Sequence, residues 1–258
     1  MVCYLIPYFN CYDDLILTLL SLKDDSADVV IVDDGSSVSL SSQLDVNQFG
    51  MKIHVLELEK NRGIETALNR GLQFIYQQGY RYIARIDCGD LSMPGRIEAQ
   101  VAAMEADEEI VLCGGWADYV NEEYEFLFTN KVPTDDSSLR KQMFLNNMFI
   151  HPAVMIRAEA IKQIGGYPTN RKAAEDYAVF FKLMQLGKVK NLPQSLIRYV
   201  VSSTSISSQK RNLQVKNRIR VIWDNKACSL HFAYGLMRSC LLLAIPRTVT
   251  MKLRSLLR

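Results

Sequence analysis

This 258-residue chain has no acidic residue after Asp224, no Cys-x-x-Cys pair, and no uncharged apolar run near the ~20 residues of a membrane span. Its six cysteines, at positions 3, 11, 88, 113, 228 and 240, are scattered. Neither a disulfide framework nor structural zinc is expected from them, and reduced thiols in a cytoplasmic setting are. Nothing at the start reads as a signal peptide. No internal repeat is visible. No glycine-rich phosphate loop stands near the N-terminus, which argues against a nucleotidyltransferase. Aromatic residues are thin around the basic C-terminal quarter, so a stacking platform for nucleic acid is not expected.

What is present is an ordinary globular composition, 48% hydrophobic and 22% charged, with an uneven charge distribution. Residues 188–258 hold 14 Lys/Arg and one acid, a balance of +13, while the remainder carries −11. A basic C-terminal quarter points to an anionic partner. Over the first hundred residues short apolar runs alternate with helical patterns: strands at Val2–Ile6, Val29–Val32, Ile53–Leu58, Tyr82–Ile86 and Ile110–Cys113, the last closed by Gly114 and Gly115. Helices are expected from Asp13 or Asp14 to Lys23, from Ile64 to Gln78, and from Pro94 to Ala106. This alternation predicts an α/β fold on a mixed, mostly parallel sheet flanked by helices, with a C-terminal helical tail. Later come a strand at Val154–Ile156, helices at Ala158–Ile164 and Ala174–Leu186, a strand at Leu196–Val201, and a polar stretch, Ser202–Gln209, that reads as a loop or linker. The division expected is 1–100, 101–205 and 206–258.

The stretch Val29–Ser37, VVIVDDGSS, carries the most information. Four β-branched residues make a strand buried on both faces, and it ends in two carboxylates. Parallel strands deliver such groups to the carboxyl edge of the sheet, where open α/β sheets bind ligands. Asp87 and Asp90 follow another such strand and belong at the same edge. Clustered carboxylates repel, and a divalent cation bridging to a phosphate relieves them, so a nucleoside-diphosphate site is expected.

The ordered blocks Ile6-Pro7-Tyr8-Phe9-Asn10, VDDGS, Asn61-Arg62-Gly63 with Ala67 and Asn69, ARIDCGD followed by Pro94 and Arg96, NNMFIHPAVMIR from Asn146, and Ala174-Glu175-Asp176 together resemble the inverting family 2 glycosyltransferases of bacterial surface-polysaccharide synthesis. The resemblance implies a GT-A fold, a nucleotide-sugar donor and direct displacement at the anomeric carbon. It places Pro7 and Tyr8 beside the base, Asp34 on the uracil N3–H with Asp33 next to it, and Asn61 and Arg62 in the donor site. Asp87 goes to the ribose and diphosphate, and Asp176, beside Glu175, is the catalytic base. In the family's Asp-x-Asp pattern the second position is commonly a metal ligand; here it is Gly89. Mg²⁺ or Mn²⁺ is expected to rest on Asp87 and Asp90, or on Asp87 alone. His151 is either a group near the diphosphate or metal or a structural histidine, and Trp116 is a candidate for stacking on an acceptor sugar. The family implies a polyprenyl-diphosphate-linked saccharide as acceptor.

From Ala227 onward, Arg238, Arg247, Lys252, Arg254 and Arg258 alternate with Leu, Ile and Met. That pattern suits a peripheral helix on the inner face of an anionic membrane, or a pair of ordinary helices packed on the domain. Two readings from other classes stay open: a non-catalytic nucleotide-sugar binder, because of Gly89, and a nucleic-acid binder, because of the basic tail.

Overall fold

Strand β1 (Val2–Tyr8) is buried along nearly its whole length, and its alternate side chains serve two different cores. Cys3 and Leu5 face one core, while Val2, Tyr4, Ile6 and Tyr8 face the other. That is the period-2 pattern of a strand covered by helices on both sides. The computed structural model describes residues 1–201 and 211–244. Helices α1 (Tyr12–Leu22) and α3 (Arg96–Ala106) lie on the Tyr4 face, and α2 (Ile64–Gln78), α5 (Ala158–Gln163) and α6 (Glu175–Leu186) lie on the Leu5 face.

Among the described residues the remaining strands are β2 (Asp28–Asp33), β3 (Ile53–Glu57), β4 (Tyr82–Arg85), β5 (Leu91–Ser92), β6 (Ile110–Val120), β7 (Phe126–Asn130), β8 (Met155–Arg157) and β9 (Lys188–Val200). They form one sheet in the order β3-β2-β1-β4-β8-β6-β9-β5, with β7 paired to β6. Strands β3, β2, β1 and β4 are parallel, and β8 runs against both neighbours. The chain leaves β1 towards β2 and β3 and returns to β4 on the other flank of β1. That reversal opens a crevice at the carboxyl ends of β1, β2 and β4.

Several boundaries differ from expectation. Strand β1 continues through Pro7 to Tyr8, because its pairing with β4 ends at Leu5 and no ladder bond is lost there. Gly114 and Gly115 do not close β6; they lie inside it, and β9 runs alongside so closely that a Cβ on either would collide with Asn191 or Leu196. Strand β9 begins at Lys188 rather than Leu196 and absorbs Pro193 in a register shift between Leu192 and Ser195. A helix not expected from the sequence, α4 (Asp136–Gln142), starts where the Asp135 carboxylate accepts from the Ser138 amide at 2.9 Å.

The tail contributes α7 (Arg211–Asp224) and α8 (Leu230–Ala244). Val221 and Ile222 of α7 enter the core beneath α6, and Phe232 of α8 packs edge-on to Phe144, with ring centroids 5.9 Å apart. Of the two tail readings, the described part is therefore packed on the domain along its inner side. No helix among the described residues is long and apolar enough to cross a membrane. The Ser202–Gln209 loop and the basic residues from Arg247 onward lie outside the described residues.

Candidate active site

The turn after β2 is built by its two aspartates in different ways. Asp33 is buried, and its carboxylate accepts from the amides of Ser36 (2.9 Å) and Leu40 (3.1 Å), so it shapes the turn and does not line the cleft. Asp34 turns the other way, accepting from the Arg62 and Gly63 amides at 2.8 Å each, and it does line the cleft. This ties the VDDGS turn to the loop before α2. Gly35, at φ 72°, sits against the Lys60 backbone where no Cβ fits. Asn10, the residue after Phe9, locks the same turn by accepting from the Ser37 amide at 2.9 Å. Asn61 reaches the cleft; the Arg62 side chain does not line it.

The second acidic turn follows β4. Arg85 is fully buried and donates to the Leu5 carbonyl at 3.0 Å and to an Asp87 carboxylate oxygen. Burial pushes the Asp87 carboxyl up, but the Arg85 charge, together with His151 and the Arg85 hydrogen bond, reverses this and leaves it below the usual carboxylate range. Gly89, at φ 90°, makes the turn, its amide donating to the Thr18 hydroxyl at 2.9 Å. Asp90 accepts from the Val200 amide at 3.0 Å through one oxygen, and its other oxygen is buried without a partner. Burial, then the nearby Asp87 charge, pushes the Asp90 pKa well up.

Across the cleft, Glu175 and Asp176 occupy the first turn of α6. Asp176 accepts from the Asn147 side-chain amide at 2.8 Å. Burial raises its pKa to about 6, with the first-turn amides of α6 pulling the other way. Glu175 goes further, to about 8, by burial and then by the Asp176 charge; its Oε2 is buried and unpartnered. Both carboxyls are thus pushed up, Glu175 further than Asp176. His151, in a short 3-10 turn before β8, shares a 2.9 Å hydrogen bond with the Tyr167 hydroxyl. Burial, and then Arg85, lowers its pKa to about 3, so it is a neutral imidazole.

One cleft of about 680 Å³ brings together Pro7, Tyr8, Asp34, Asn61, Asp87, Asp90, His151, Glu175 and Asp176 from six chain segments. Among those expected at the site, Asp33 and Arg62 are the two that do not line it. Trp116 is also elsewhere: its indole donates to the Val132 carbonyl at 3.0 Å and Lys131 sits over its ring. Sequence reasoning missed Glu65, Lys172 and Tyr199, which do line the cleft. Glu65 is the first acid of α2, a position that reads as ordinary first-turn charge matching. Lys172 is placed by α7, whose Asn217 donates to its carbonyl at 2.8 Å, a contact no local pattern announces.

The profile of the family described as Glycosyl transferase family 2 matches residues 3–165. The chain belongs to this family. Among relatives, it is 28% identical to the amylovoran biosynthesis glycosyltransferase AmsE of Erwinia amylovora, over 65% of this chain and 61% of that protein. It is 32% identical to the UDP-Gal:alpha-D-GlcNAc-diphosphoundecaprenol beta-1,3-galactosyltransferase of Escherichia coli, over 66% of this chain and 61% of the other. The matches thus span about three-fifths of these two relatives. Its fold is GT-A-like. It resembles S. aureus TarS 1-349 in complex with UDP at a TM-score of 0.67 and 17% identity, covering 96% of this chain and 73% of that one. It resembles the mannosyltransferase PcManGT of Pyrobaculum calidifontis, in complex with GDP-Man and Mn²⁺, at 0.65 and 14% identity, covering 99% and 79%.

Among the described residues no three His, Cys, Asp or Glu side chains converge as a closed metal cage. Asp87 and Asp90 do line the same cleft. Two carboxylates of this kind suit an ion that takes its other ligands from a diphosphate and water.

Proposed function

We propose that this chain is an inverting glycosyltransferase that moves a hexose or N-acetylhexosamine from a UDP-sugar to a hydroxyl of a lipid-linked saccharide, in the synthesis of a bacterial polysaccharide such as O-antigen or capsule. The observation that carries this reading is Asp176. It is a half-buried carboxylate whose pKa is raised to about 6, held by Asn147, and it lines one cleft with Asp34 and Asp87. A general base needs that combination of geometry and pKa. The E. coli relative's UDP-galactose donor and undecaprenol-linked acceptor, and the UDP held by TarS, support the choice of donor and acceptor class.

In this reading Pro7, Tyr8, Asp34 and Asn61 hold the nucleoside. The acceptor oxygen attacks C1 of the sugar from the side opposite the diphosphate, its proton passes to Asp176, and the C1–O bond to UDP breaks. Asp87 and Asp90 would hold Mg²⁺ or Mn²⁺, which would supply charge neutralisation for the diphosphate. Glu175, protonated, and neutral His151 are hydrogen-bond partners for substrate at the cleft wall. Arg85 stays buried and fixes the Asp87 carboxylate. Peripheral attachment to the inner face of the membrane would bring the enzyme to its acceptor.

The test is transfer itself. UDP-hexoses and UDP-N-acetylhexosamines are offered with a short-chain lipid-diphosphate saccharide and Mn²⁺, and the product is examined by NMR. A product of inverted anomeric configuration is expected. Retention, or UDP-sugar binding without any transfer, contradicts the proposal.

A further inference from the structure

The inner face of α7 changes character along its length. Gln214, Asn217, Arg218, Val221 and Ile222 are spaced at i, i+3, i+4, i+7 and i+8, so they share one side of the helix. Val221 and Ile222 are core residues, which accounts for the far end of that face. The near end is polar, and Asn217 is only 3% exposed. Buried polar side chains are placed by their hydrogen-bond partners, so the partners show what this end does.

Those partners are the two loops that converge on Asp176. Asn217 donates from its side-chain amide to the Lys172 carbonyl at 2.8 Å. Lys172 precedes Ala173, which sits at φ 60°, a conformation that a residue with a Cβ adopts only where its surroundings impose it. Arg171 in the same loop pairs with Asp224 at the far end of α7, at 2.7 Å. Arg218 serves the other loop. Its guanidinium donates to the Asn146 side-chain oxygen at 2.8 Å and to the Leu145 carbonyl. It also lies over the Tyr177 ring, 5.6 Å from the centroid. Between these contacts is the bond from the Asn147 amide to the Asp176 carboxylate, at 2.8 Å. One side chain thus touches the residue before Asn147 and the residue after Asp176.

We propose that Arg218, with Asn217 beside it, is a positioning residue for the general base, holding the loop at Asn146–Asn147 against α6 so that the Asn147 amide stays on Asp176. This rests on the glycosyltransferase reading and adds that α7 belongs to the catalytic apparatus. Neither side chain lines the cleft, so each acts through the groups it holds. Val221 and Ile222 anchor α7 in the core, and Arg238 of α8 also donates to the Leu145 carbonyl at 2.6 Å. Removal of the Arg218 guanidinium therefore leaves the helix docked.

The experiment measures transfer by the full chain across pH 5 to 8, with UDP affinity by calorimetry in parallel. The proteins are wild type, Arg218→Ala, Asn147→Ala and the double variant. Loss of a hydrogen bond to a carboxylate favours its protonated form, so Arg218→Ala should move the midpoint of the kcat/KM rise upward from about 6. It should also lower kcat at neutral pH roughly ten- to hundredfold, the scale of a misplaced catalytic group, and leave UDP affinity unchanged. Asn147→Ala should do the same. The double variant should go no further than Asn147→Ala alone, because both substitutions break one linkage. The other charges facing Asp176, which are Glu175 beside it and Asp87 and Arg85 from the turn after β4, are the same in all four proteins. If Arg218→Ala fails to bind UDP, Arg218→Lys takes its place, since it keeps a cation over Tyr177 and loses the fork that reaches two acceptors. Failure of both to bind UDP marks Arg218 as structural and refutes the proposal. So does an Arg218 or Asn147 variant that binds UDP like wild type with the midpoint unmoved, or a full addition of the two losses in the double variant. Absence of transfer by wild type would instead refute the glycosyltransferase reading.

Discussion

At the scale of single residues, adjacent carboxylates in this chain do different work according to the backbone around them. Asp33 spends both oxygens on turn amides, while Asp34 shares its oxygens between the Arg62 and Gly63 amides and the cleft. The sequence places both at the sheet edge; nothing in DDGS says which one turns inward, since that depends on the distant loop at Lys60–Gly63. The Glu175–Asp176 pair is the converse case. Its position in the first turn of a helix was legible, but the separation of its two pKa values comes from burial under segments remote in sequence. One consequence concerns the nucleobase. If Asp34 accepts the uracil N3–H, UDP should bind more tightly than ADP, and Asp34→Ala should lose on the order of 1.5–3 kcal/mol of UDP affinity, as for a hydrogen bond to a charged group. Calorimetry giving equal affinities for UDP and ADP would contradict that role.

At the scale of elements, α8 has two unlike faces. Phe232 and Leu236 pack inward on the domain, while Leu230, Tyr234, Met237 and Leu241, spaced at i, i+4, i+7 and i+11, are exposed. The helix is thus packed on one side and open on the other. The open stripe is the part available to a lipid surface. Leu230→Glu combined with Leu241→Glu should abolish flotation with anionic liposomes while leaving thermal stability near wild type, because both side chains are exposed. Unchanged flotation of the double variant, or no flotation of the wild type, would contradict membrane contact through α8. Cutting the chain after Lys226 is a poorer test, since it uncovers Phe144. Elements with clean local signals were legible: β1, β2, β4, α2 and α6 fall within a few residues of expectation. Strand β7 and the first half of β9 were not, because their definition is non-local, whereas the later half of β9 was expected as Leu196–Val201. Pro193, Asn191 and two lysines hide β9 from any periodicity, and the strand exists because β6 runs beside it for its full length.

At the scale of the whole molecule, the imbalance between a +13 tail and a −11 body is in part an internal matter. Arg218 and Arg238 both donate to the Leu145 carbonyl, Arg171 pairs with Asp224, and Lys188 pairs with Asp107 and Glu109. Arg218 and Arg238 thus fasten α7 and α8 through a backbone carbonyl, and the α7 ion pair runs the other way, from Arg171 of the body to Asp224 of the tail. The parallel strands, the sheet edge and the clustering of acids there could all be read in advance, because buried β-branched runs ending in carboxylates admit few alternatives. The Lys172 loop and the neutral state of His151 could not, because each needs three-dimensional neighbours. The central claim is that Asp176 acts as general base in this cleft. It is tested most directly by the transfer rate of Asp176→Asn and wild type across pH 5 to 8, with UDP affinity measured in parallel. The Asp176 pKa is raised to about 6 and the base works ionised, so wild-type kcat/KM should climb as pH rises through about 6. Asp176→Asn should lose that rise and about 10²–10⁴ in rate at neutral pH while binding UDP as wild type does. Near-normal turnover by Asp176→Asn, or a wild-type rate that does not change between pH 5 and 7, would contradict the account.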